Sequence, residues 1–217
     1  MRMHWVYYFG RVLIRVITFP FMFWKVTGKE NLPPGPVLIV CNHLHISDPP
    51  YVAASIPKKA VFMAKEELFQ NKWSRFWVEN FGSFPVRRKT FNRESIRTAE
   101  GWLSKGISLI MFPEGTRSKD GGMNRAFTGA ALIALHTGLP VVPIAITGSE
   151  NVSRLTWSFL HHPTITITIG KPLIPPPCGG VPTKEQRNQF CDAIMYKIAE
   201  LLPPSYRGIY GEKKIEN

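Results

Sequence analysis

The sequence predicts an α/β fold in which helices flank a mostly parallel central sheet, with a helical segment at a membrane interface before it. Apolar runs of strand length alternate with helical patterns along most of the 217 residues. Most of these runs are almost wholly apolar, as parallel strands buried on both faces are. The first 27 residues differ, because they are rich in aromatic and basic residues and no acidic residue precedes Glu30.

Residues 1–27 are predicted to form an amphipathic membrane-associating segment, and residues 28–217 a single globular domain. Arg11 and Arg15 interrupt the apolar run, and Pro20 would break a late helical turn, so a transmembrane helix fits poorly. The two arginines are four residues apart and share one helix face. We expect that face to meet anionic head groups, with aromatic side chains in the interface. The alternative is a helix packed on the core.

The remaining elements follow in regular alternation. The predicted strands are residues 37–40, 60–64, 83–86, 108–112, 141–146 and 164–170. The predicted helices include residues 66–80 and 92–104, one within residues 124–138 that Gly138 closes, and one that starts at Ser47 or Asp48 ahead of two prolines. Thr183 and Gln186 form a capping box that begins a last helix. Residues 175–182 are predicted to be a loop.

The charge balance indicates a polyanionic partner. The chain has 27 Lys and Arg against 15 Asp and Glu, a formal charge of +12. Anionic lipid and nucleic acid both fit this charge. The sequence has no recognised nucleic-acid motif, and the N-terminal segment favours lipid. The cysteines Cys41, Cys178 and Cys191 form no CxxC pair, which favours a reducing compartment.

Two polar segments follow predicted strands directly, and they are the candidate site. NHLHISD (42–48) follows the strand at 37–40, and PEGTRS (113–118) follows the strand at 108–112. Ligands of parallel α/β sheets bind beyond the carboxyl ends of the strands. If the two strands are neighbours, both segments meet over one crevice.

His43 and Asp48 are the candidate catalytic pair. A carboxylate that holds imidazole Nδ1–H fixes the tautomer, so that Nε2 can take a proton from an alcohol. The chain has no Gly-x-Ser-x-Gly elbow and no cysteine in a catalytic signature beside the histidine. This pattern favours direct attack by a substrate hydroxyl. An alternative role for Asp48, compatible with the first, is to cap the helix that Pro49 begins. His43 and His45 also suggest a metal site, but such a site would lack a third ligand at a recognised spacing.

Two further clusters are candidates for binding a phosphorylated substrate. In the second segment, Gly115 permits a tight turn, Thr116 and Ser118 are hydroxyl donors, and Arg117 is a planar fork suited to phosphate. Glu114 is predicted to hydrogen-bond substrate hydroxyls or Arg117. The third cluster, Arg87, Arg88 and Lys89, follows the short strand at 83–86 and is predicted to complement Arg117. The alternative for both clusters is an exposed polar turn.

Together these segments resemble the glycerophospholipid acyltransferase family over about residues 28–170. The resemblance rests on four ordered blocks: Asn42-His43 with Asp48, Gly82 through Arg88, Phe112 through Arg117, and Val142-Pro143-Ile144. It implies that His43 is the general base and that Asp48 orients it. It also implies substrate-binding roles, toward the glycerol phosphate or in the lining of the site, for Arg87, Arg88, Glu114, Gly115, Thr116, Arg117 and Pro143.

The resemblance implies a reaction as well. An acyltransferase domain at residues 28–217 is expected to move a fatty acyl group from an acyl thioester to the 2-hydroxyl of lysophosphatidic acid, giving phosphatidic acid. The donor is expected to be acyl-coenzyme A or acyl-carrier protein, without a bound cofactor or metal. The expected location is the cytoplasmic face of the cell membrane, peripheral or monotopic. Alternatives are another acceptor, such as glycerol 3-phosphate or another lysophospholipid, and a non-catalytic peripheral membrane protein.

Overall fold

One seven-stranded sheet organises the part of the chain that the computed structural model describes, residues 5–18, 20–80, 82–86, 93–153 and 161–211. The strands lie in the order β1-β7-β6-β2-β5-β3-β4. β6 and β7 are antiparallel, and every other neighbouring pair is parallel, which confirms the predicted α/β class. The strands are β1 Phe23–Thr27, β2 Leu38–Cys41, β3 Ala60–Lys65, β4 Ser83–Val86, β5 Ser108–Met111, β6 Val141–Thr147 and β7 Thr164–Ile169.

Helices cover both faces of this sheet. The described α-helices are α1 Trp5–Thr18, α2 Asp48–Ser55, α3 Lys72–Asn80, α4 Arg93–Leu103, α5 Gly129–Thr137 and α6 Lys184–Leu201. Alternate residues of β2 point to opposite faces. Leu38 and Val40 pack with α4, α5 and α6, whereas Ile39 and Cys41 pack with α1 and α2. The strand β2 is therefore apolar on both faces, as its sequence predicts.

Local signals in the sequence set several helix ends. Thr183 Oγ1 accepts a hydrogen bond from Gln186 N at 3.2 Å, and Gln186 Oε1 accepts one from Thr183 N at 2.8 Å. This is the predicted capping box, and α6 begins at Lys184, directly after Thr183. Gly138 adopts the left-handed conformation, with φ of 67°, and ends α5 as predicted.

The sheet begins inside the segment that the sequence sets apart. Phe23–Thr27 form β1, which pairs in parallel with β7 through register partners such as Phe23 and Thr164. The predicted division after residue 27 therefore needs correction at this strand. The aromatic residues of β1 continue the apolar run of α1, so the composition of the sequence does not mark where the helix ends and the strand begins.

α1 packs against the domain through residues predicted to face lipid. Arg11 donates from Nη2 to the carbonyl of Ile56 and from Nη1 to the carbonyl of Lys58, the latter at 3.2 Å. Tyr7 is fully buried, and its hydroxyl accepts a hydrogen bond from Ala60 N at 3.2 Å. The expectation that Arg11 faces anionic head groups is therefore wrong, because its guanidinium satisfies carbonyls of the domain.

The outer side of α1 has a different character. Arg15 is exposed and lies over the Trp24 ring, with its guanidinium carbon 5.9 Å from the ring centroid. The exposed apolar side chains of this helix are Tyr8, Phe9, Val12 and Val16. No described helix combines the length and the apolar character that crossing a bilayer requires.

Candidate active site

The two predicted loops meet at one edge of the sheet. β2 and β5 are neighbours, with Val40 in register with Met111, so both loops leave at adjacent carboxyl ends. Ser118 N donates a hydrogen bond to His43 O at 2.8 Å. His43 N donates to Glu114 Oε1 at 3.1 Å. The backbone of His43 is thus held on both sides by the second loop, so the expected meeting of the two loops is confirmed.

The His43 imidazole and the Asp48 carboxylate form a hydrogen-bonded pair. His43 Nδ1 lies 2.8 Å from Asp48 Oδ2, and the Asp48 side chain is fully buried. The same oxygen accepts hydrogen bonds from Leu44 N and His45 N, each at 2.7 Å. A carboxylate facing Nδ1 fixes the tautomer in which Nδ1 carries the proton and Nε2 is the acceptor. The pair therefore has the geometry of a general base with its orienting carboxylate.

Asp48 does not cap α2 as the sequence allowed. The N-cap residue is Ser47, whose side chain makes no capping hydrogen bond, and the Asp48 carboxylate is bonded to His43, Leu44 and His45. The Asp48 carboxylate instead turns back to the loop residues before it. The prolines after Asp48 begin the helix without donors, so α2 starts without a capping oxygen.

Phe112 packs against the His43 imidazole. Its ring packs on His43 with centroids 4.5 Å apart and planes tilted by 35°. The His43 side chain remains 14% exposed, so the imidazole is sheltered but not sealed. Sequence reasoning gave Phe112 no role, although it is the last apolar residue of the strand run before the second loop.

Asn42 fixes the end of β2. It is buried, and its Oδ1 accepts from Ile146 N at 2.8 Å while its Nδ2 donates to Ile146 O at 2.9 Å. The side-chain amide thereby continues the pairing of β2 with β6 past the last residue of β2. His43, the next residue, is therefore positioned by the end of β2. The sequence analysis included Asn42 in a motif but gave it no role. A polar amide directly after an apolar strand was the signal that could have indicated this role.

Both carboxylate oxygens of Glu114 accept hydrogen bonds within the protein. Oε1 accepts from His43 N, and Oε2 accepts from Asn124 N at 2.8 Å and Asn124 Nδ2 at 3.1 Å. The residue is 1% exposed. Burial raises the pKa of the Glu114 carboxyl, and the hydrogen bonds from Asn124 and His43 oppose that rise. The predicted contact with Arg117 is therefore wrong, because Glu114 is bonded to His43 and Asn124 instead, while the contact with substrate hydroxyls stays a prediction.

The tip of the second loop faces solvent. Gly115 has φ of 66°, and a Cβ on it would lie 2.9 Å from the Phe127 ring, so glycine is required by conformation and by space. Thr116 and Arg117 are exposed, and Thr116 Oγ1 donates to Arg117 O at 3.0 Å. An exposed guanidinium and hydroxyl above the sheet edge can bind an anionic group.

The charge of Arg117 reaches the His–Asp loop. Burial lowers the pKa of His45, Asp48 opposes this, and the positive charge of Arg117 lowers the pKa further. Arg117 also precedes Ser118, whose N–H is bonded to His43 O, so the candidate general base and the candidate phosphate ligand lie on loops in direct contact.

The other predicted site residues are Arg87, Arg88 and Pro143. Arg87 and Arg88 fall outside the described residues. Pro143 lies inside β6, in register with Val40, and its carbonyl accepts a hydrogen bond from Gly170 N at 2.8 Å. Its role in lining a substrate site stays a prediction. Among the described residues, no group of three or more His, Cys, Asp or Glu side chains is placed to hold a metal ion.

The C-terminal segment supports the second loop, which the sequence did not indicate. Met123 N donates to Tyr206 O at 3.0 Å, and the Tyr206 hydroxyl donates to Glu150 Oε1 at 2.5 Å. Burial and the Glu150 carboxylate raise the pKa of Tyr206 to about 12, so the phenol keeps its proton. A Cβ on Gly208 would lie 2.2 Å from Met123 O. The loop that carries Asn124 is thus packed directly against the chain end.

Comparison with known proteins assigns the family. A family model described as Acyltransferase matches residues 24–147, more than half of the chain. The chain is also similar to the 1-acyl-sn-glycerol-3-phosphate acyltransferase of Bacillus subtilis (strain 168). The two are 34% identical over 180 residues, 82% of this chain and 87% of that protein. The chain belongs to the glycerophospholipid acyltransferase family. The acyltransferase is therefore an enzyme of the transferase class.

Two further relatives extend this finding. A chloroplastic 1-acyl-sn-glycerol-3-phosphate acyltransferase of Brassica napus is 28% identical over 199 residues, and the chain spans about half of that relative's length, 55%. The crystal structure of the 1-acyl-sn-glycerophosphate acyltransferase PlsC of Thermotoga maritima superposes with a TM-score of 0.66 at 27% identity. That match covers 90% of this chain and 78% of the other. The acyltransferase therefore shares its fold with a solved member of the family.

Proposed function

We propose that this acyltransferase transfers a fatty acyl group from an acyl thioester to the 2-hydroxyl of lysophosphatidic acid, producing phosphatidic acid for phospholipid biosynthesis. The observation that carries the proposal is the 2.8 Å pair of His43 and Asp48 in the same site as the exposed Arg117. The site thus combines a base for a hydroxyl with a cation for a phosphate. The two relatives, both 1-acyl-sn-glycerol-3-phosphate acyltransferases, support the same acceptor class.

The first chemical step is attack by the acceptor hydroxyl. His43 Nε2 takes the proton from the 2-hydroxyl while that oxygen bonds to the carbonyl carbon of the thioester. Asp48 stabilises the imidazolium that forms, because its Oδ2 already lies against Nδ1. A positioned base contributes roughly 10²–10⁴-fold to such a reaction. The protein provides no covalent nucleophile in this mechanism.

The second step breaks the carbon–sulfur bond. The tetrahedral intermediate collapses to the new ester, and the departing thiolate takes the proton from His43 Nε2. The imidazole is then neutral again, so each turnover converts one alcohol and one thioester into one ester and one thiol. The packing of Phe112 keeps the ring in the same plane for both proton transfers.

The phosphate of the acceptor binds at the tip of the second loop. Arg117 offers a bidentate fork, and Thr116 adds a hydroxyl beside it. Arg87 and Arg88 complete the phosphate site in this proposal, although they lie outside the described residues. Selectivity for a phosphorylated glycerol backbone then follows from charge, because an uncharged acceptor leaves the guanidinium groups without an anion.

The enzyme works at a phospholipid surface, through α1. The exposed apolar side chains of α1 recur on one side of the helix, at Phe9, Val12 and Val16, and Arg15 is exposed near them. This combination suits a helix that lies in the interface of an anionic membrane. With a net charge of +12, the enzyme is expected at the cytoplasmic face of the cell membrane as a peripheral or monotopic protein.

The acyl donor is a soluble thioester, either acyl-coenzyme A or acyl-carrier protein. The mechanism needs no bound cofactor, because the thioester brings the activated acyl group and the acceptor brings the nucleophile. Both donors are anionic, and the net charge of +12 favours their approach. The donor and the lipid acceptor therefore reach the site from different phases.

The test offers purified enzyme labelled lysophosphatidic acid with each thioester donor in turn. Transfer is expected with wild type, and the His43→Ala variant is expected to lose it by about 10²–10⁴-fold or more while remaining folded. His136→Ala, which removes an exposed histidine on α5, is the matched control. Glycerol 3-phosphate and other lysophospholipids serve as competing acceptors.

The outcomes separate the alternatives. Preference for glycerol 3-phosphate would change the acceptor and keep the chemistry. Equal activity in His43→Ala would end the general-base mechanism. A wild type that transfers to no acceptor, yet binds vesicles, would support a non-catalytic peripheral protein, and binding in a gel-shift titration would favour nucleic acid.

A further inference from the structure

A second helix carries large aromatic side chains on its outer face. Trp73 is 73% exposed and Phe76 is 52% exposed, and they lie three residues apart on one face of α3. Leu68, in the 3₁₀ turn Glu66–Phe69 just before this helix, is 36% exposed. Exposed aliphatic side chains are common on proteins, but two exposed aromatic residues on one short helix mark a contact surface.

We refer to Trp73, Phe76 and Leu68 together as the α3 face. Ser74 Oγ donates to Leu68 O at 2.7 Å, so the 3₁₀ turn is fixed against the first turn of α3. Lys72 and Arg75 are exposed here, but Arg75 is paired with Glu79 at 2.7 Å and Glu67 is also exposed, so the local charges balance. Docking at this face therefore depends on the aromatic rings, and Trp and Phe are typical of membrane-interface contacts.

The α3 face belongs to the same region of the molecule as α1. One cavity of about 770 Å³ is lined by Tyr7 of α1 and by Arg75 and Glu79 of α3. Tyr7 is fully buried, so α1 reaches this cavity with its inner side, and the two helices are near each other. Each helix also has exposed apolar side chains, and a lipid layer that contacts both helices would cover them.

We infer that the α3 face is a second lipid-docking surface, which holds the enzyme on an anionic bilayer together with α1. The inference rests on the membrane association in the proposed function. A second copy of the chain fits less well, because two aromatic side chains bury at most about 150–250 Å² each. A stable dimer buries about 800 Å² on each partner. Partial insertion into an interface needs no such area.

Vesicle binding by the full chain tests the inference. The probe is unilamellar vesicles of phosphatidylcholine with a minority of phosphatidylglycerol, and the readout is the partition coefficient from flotation. The double variant Trp73→Ser/Phe76→Ser is expected to bind about tenfold more weakly than wild type. Trp73→Phe keeps an aromatic ring and is expected to retain most of the binding.

A matched control removes two exposed apolar side chains elsewhere. Ile174→Ser/Val181→Ser changes residues that are 69% and 85% exposed in the segment before α6. Its partition coefficient is expected within about twofold of wild type, as for surface substitutions without a partner. Equal losses in both double variants would mean that general surface hydrophobicity, and not the α3 face, determines binding, and would overturn the inference.

Activity separates this inference from the proposed function. With a short-chain acceptor that is monomeric in water, the Trp73→Ser/Phe76→Ser variant is expected to keep the wild-type rate. With the acceptor embedded in vesicles, it is expected to lose activity in proportion to binding. If wild type itself acylates neither acceptor, the proposed function fails while the partition result still decides the inference.

Two results would overturn the inference directly. One is wild-type vesicle binding by the double variant. The other is a wild-type dimer that the double substitution converts to a monomer in light scattering, since the α3 face would then join two copies of the chain.

Discussion

The two halves of the site differ in how they are held. In the buried half, Asp48 is fully buried and Glu114 is 1% exposed, and their carboxylates accept N–H groups on and around His43. In the exposed half, Thr116 and Arg117 face solvent. In the proposed mechanism, the groups that move a proton are therefore fixed before substrate arrives, whereas the groups that bind an anion are open to it. Substitutions in the buried half should therefore lower kcat, and those in the exposed half should raise KM.

The largest effect is expected from Asp48→Asn. Asn has no charge to stabilise the imidazolium, and its neutral carbonyl oxygen is a weaker acceptor than Asp48 Oδ2 for the three N–H groups that this oxygen accepts. We expect kcat to fall roughly 10³–10⁴-fold, as when the orienting carboxylate of a Ser-His-Asp triad is changed to Asn. Acceptor KM should change little. Steady-state kinetics at saturating donor measure both parameters.

Asp192→Asn, an exposed carboxylate on α6, is the control for this substitution and should leave kcat unchanged. The melting temperature of both variants separates a catalytic loss from unfolding. A fall in kcat of less than about tenfold for a folded Asp48→Asn variant would remove the carboxylate from the proton-transfer step.

The layers of the fold were predictable, but the edge strand β1 and the orientation of α1 were not. Apolar strands such as β2 must be covered on both faces, and Gly138 and Thr183 mark helix ends through conformation and hydrogen bonding. β1 was missed because its sheet pairing with β7 is a long-range contact. The spacing of Arg11 and Arg15 predicts that they share one face of a helix. It does not predict whether that face packs against the protein or faces outward.

The pairing of His43 with Asp48 was predictable from the sequence. The two residues are close along the chain, so their contact depends on local geometry. The role of Glu114 depends on where His43 and Asn124 come to lie, and these are residues on other segments. The sequence places Glu114 near Arg117 and suggests that arginine as its partner. In the fold, Glu114 is buried against His43 N–H and Asn124 N–H, and the local sequence does not show that burial.

Arg117→Ala is expected to have an intermediate effect, and it tests the exposed half. Loss of a charge-assisted contact with phosphate should raise acceptor KM on the order of 10–100-fold, with kcat and donor KM within about threefold. Arg117→Lys should restore part of the affinity, because a point charge replaces the planar fork. Initial rates with each substrate varied in turn measure the effect.

Lys119→Ala removes an exposed cation two residues away and should leave acceptor KM near the wild-type value. A rise in donor KM for Arg117→Ala, with acceptor KM unchanged, would assign this arginine to the thioester. The exposed half would then bind the other substrate, and the division between proton transfer and anion binding would still stand.

The smallest effect on catalysis is expected from Glu114→Gln. The Gln side chain must direct its NH₂ group toward either His43 N–H or Asn124 N–H, which leaves one buried donor without an acceptor. An unsatisfied buried donor costs about 1–3 kcal/mol of unfolding free energy, and we expect kcat to fall about tenfold. KM for either substrate should be unchanged, because Glu114 is buried away from both.

The pH dependence of stability sharpens this last comparison. Burial raises the pKa of Glu114, so the folded protein binds a proton there at a higher pH than the unfolded chain does. Relative to the Gln variant, the free energy of unfolding of wild type therefore falls as pH rises through that raised pKa. The difference in Tm between the two proteins should be larger at about pH 4 than at about pH 8. A difference that shrinks toward acid would mean that folding favours the ionised carboxylate, and that the hydrogen bonds from His43 and Asn124 outweigh the cost of burial.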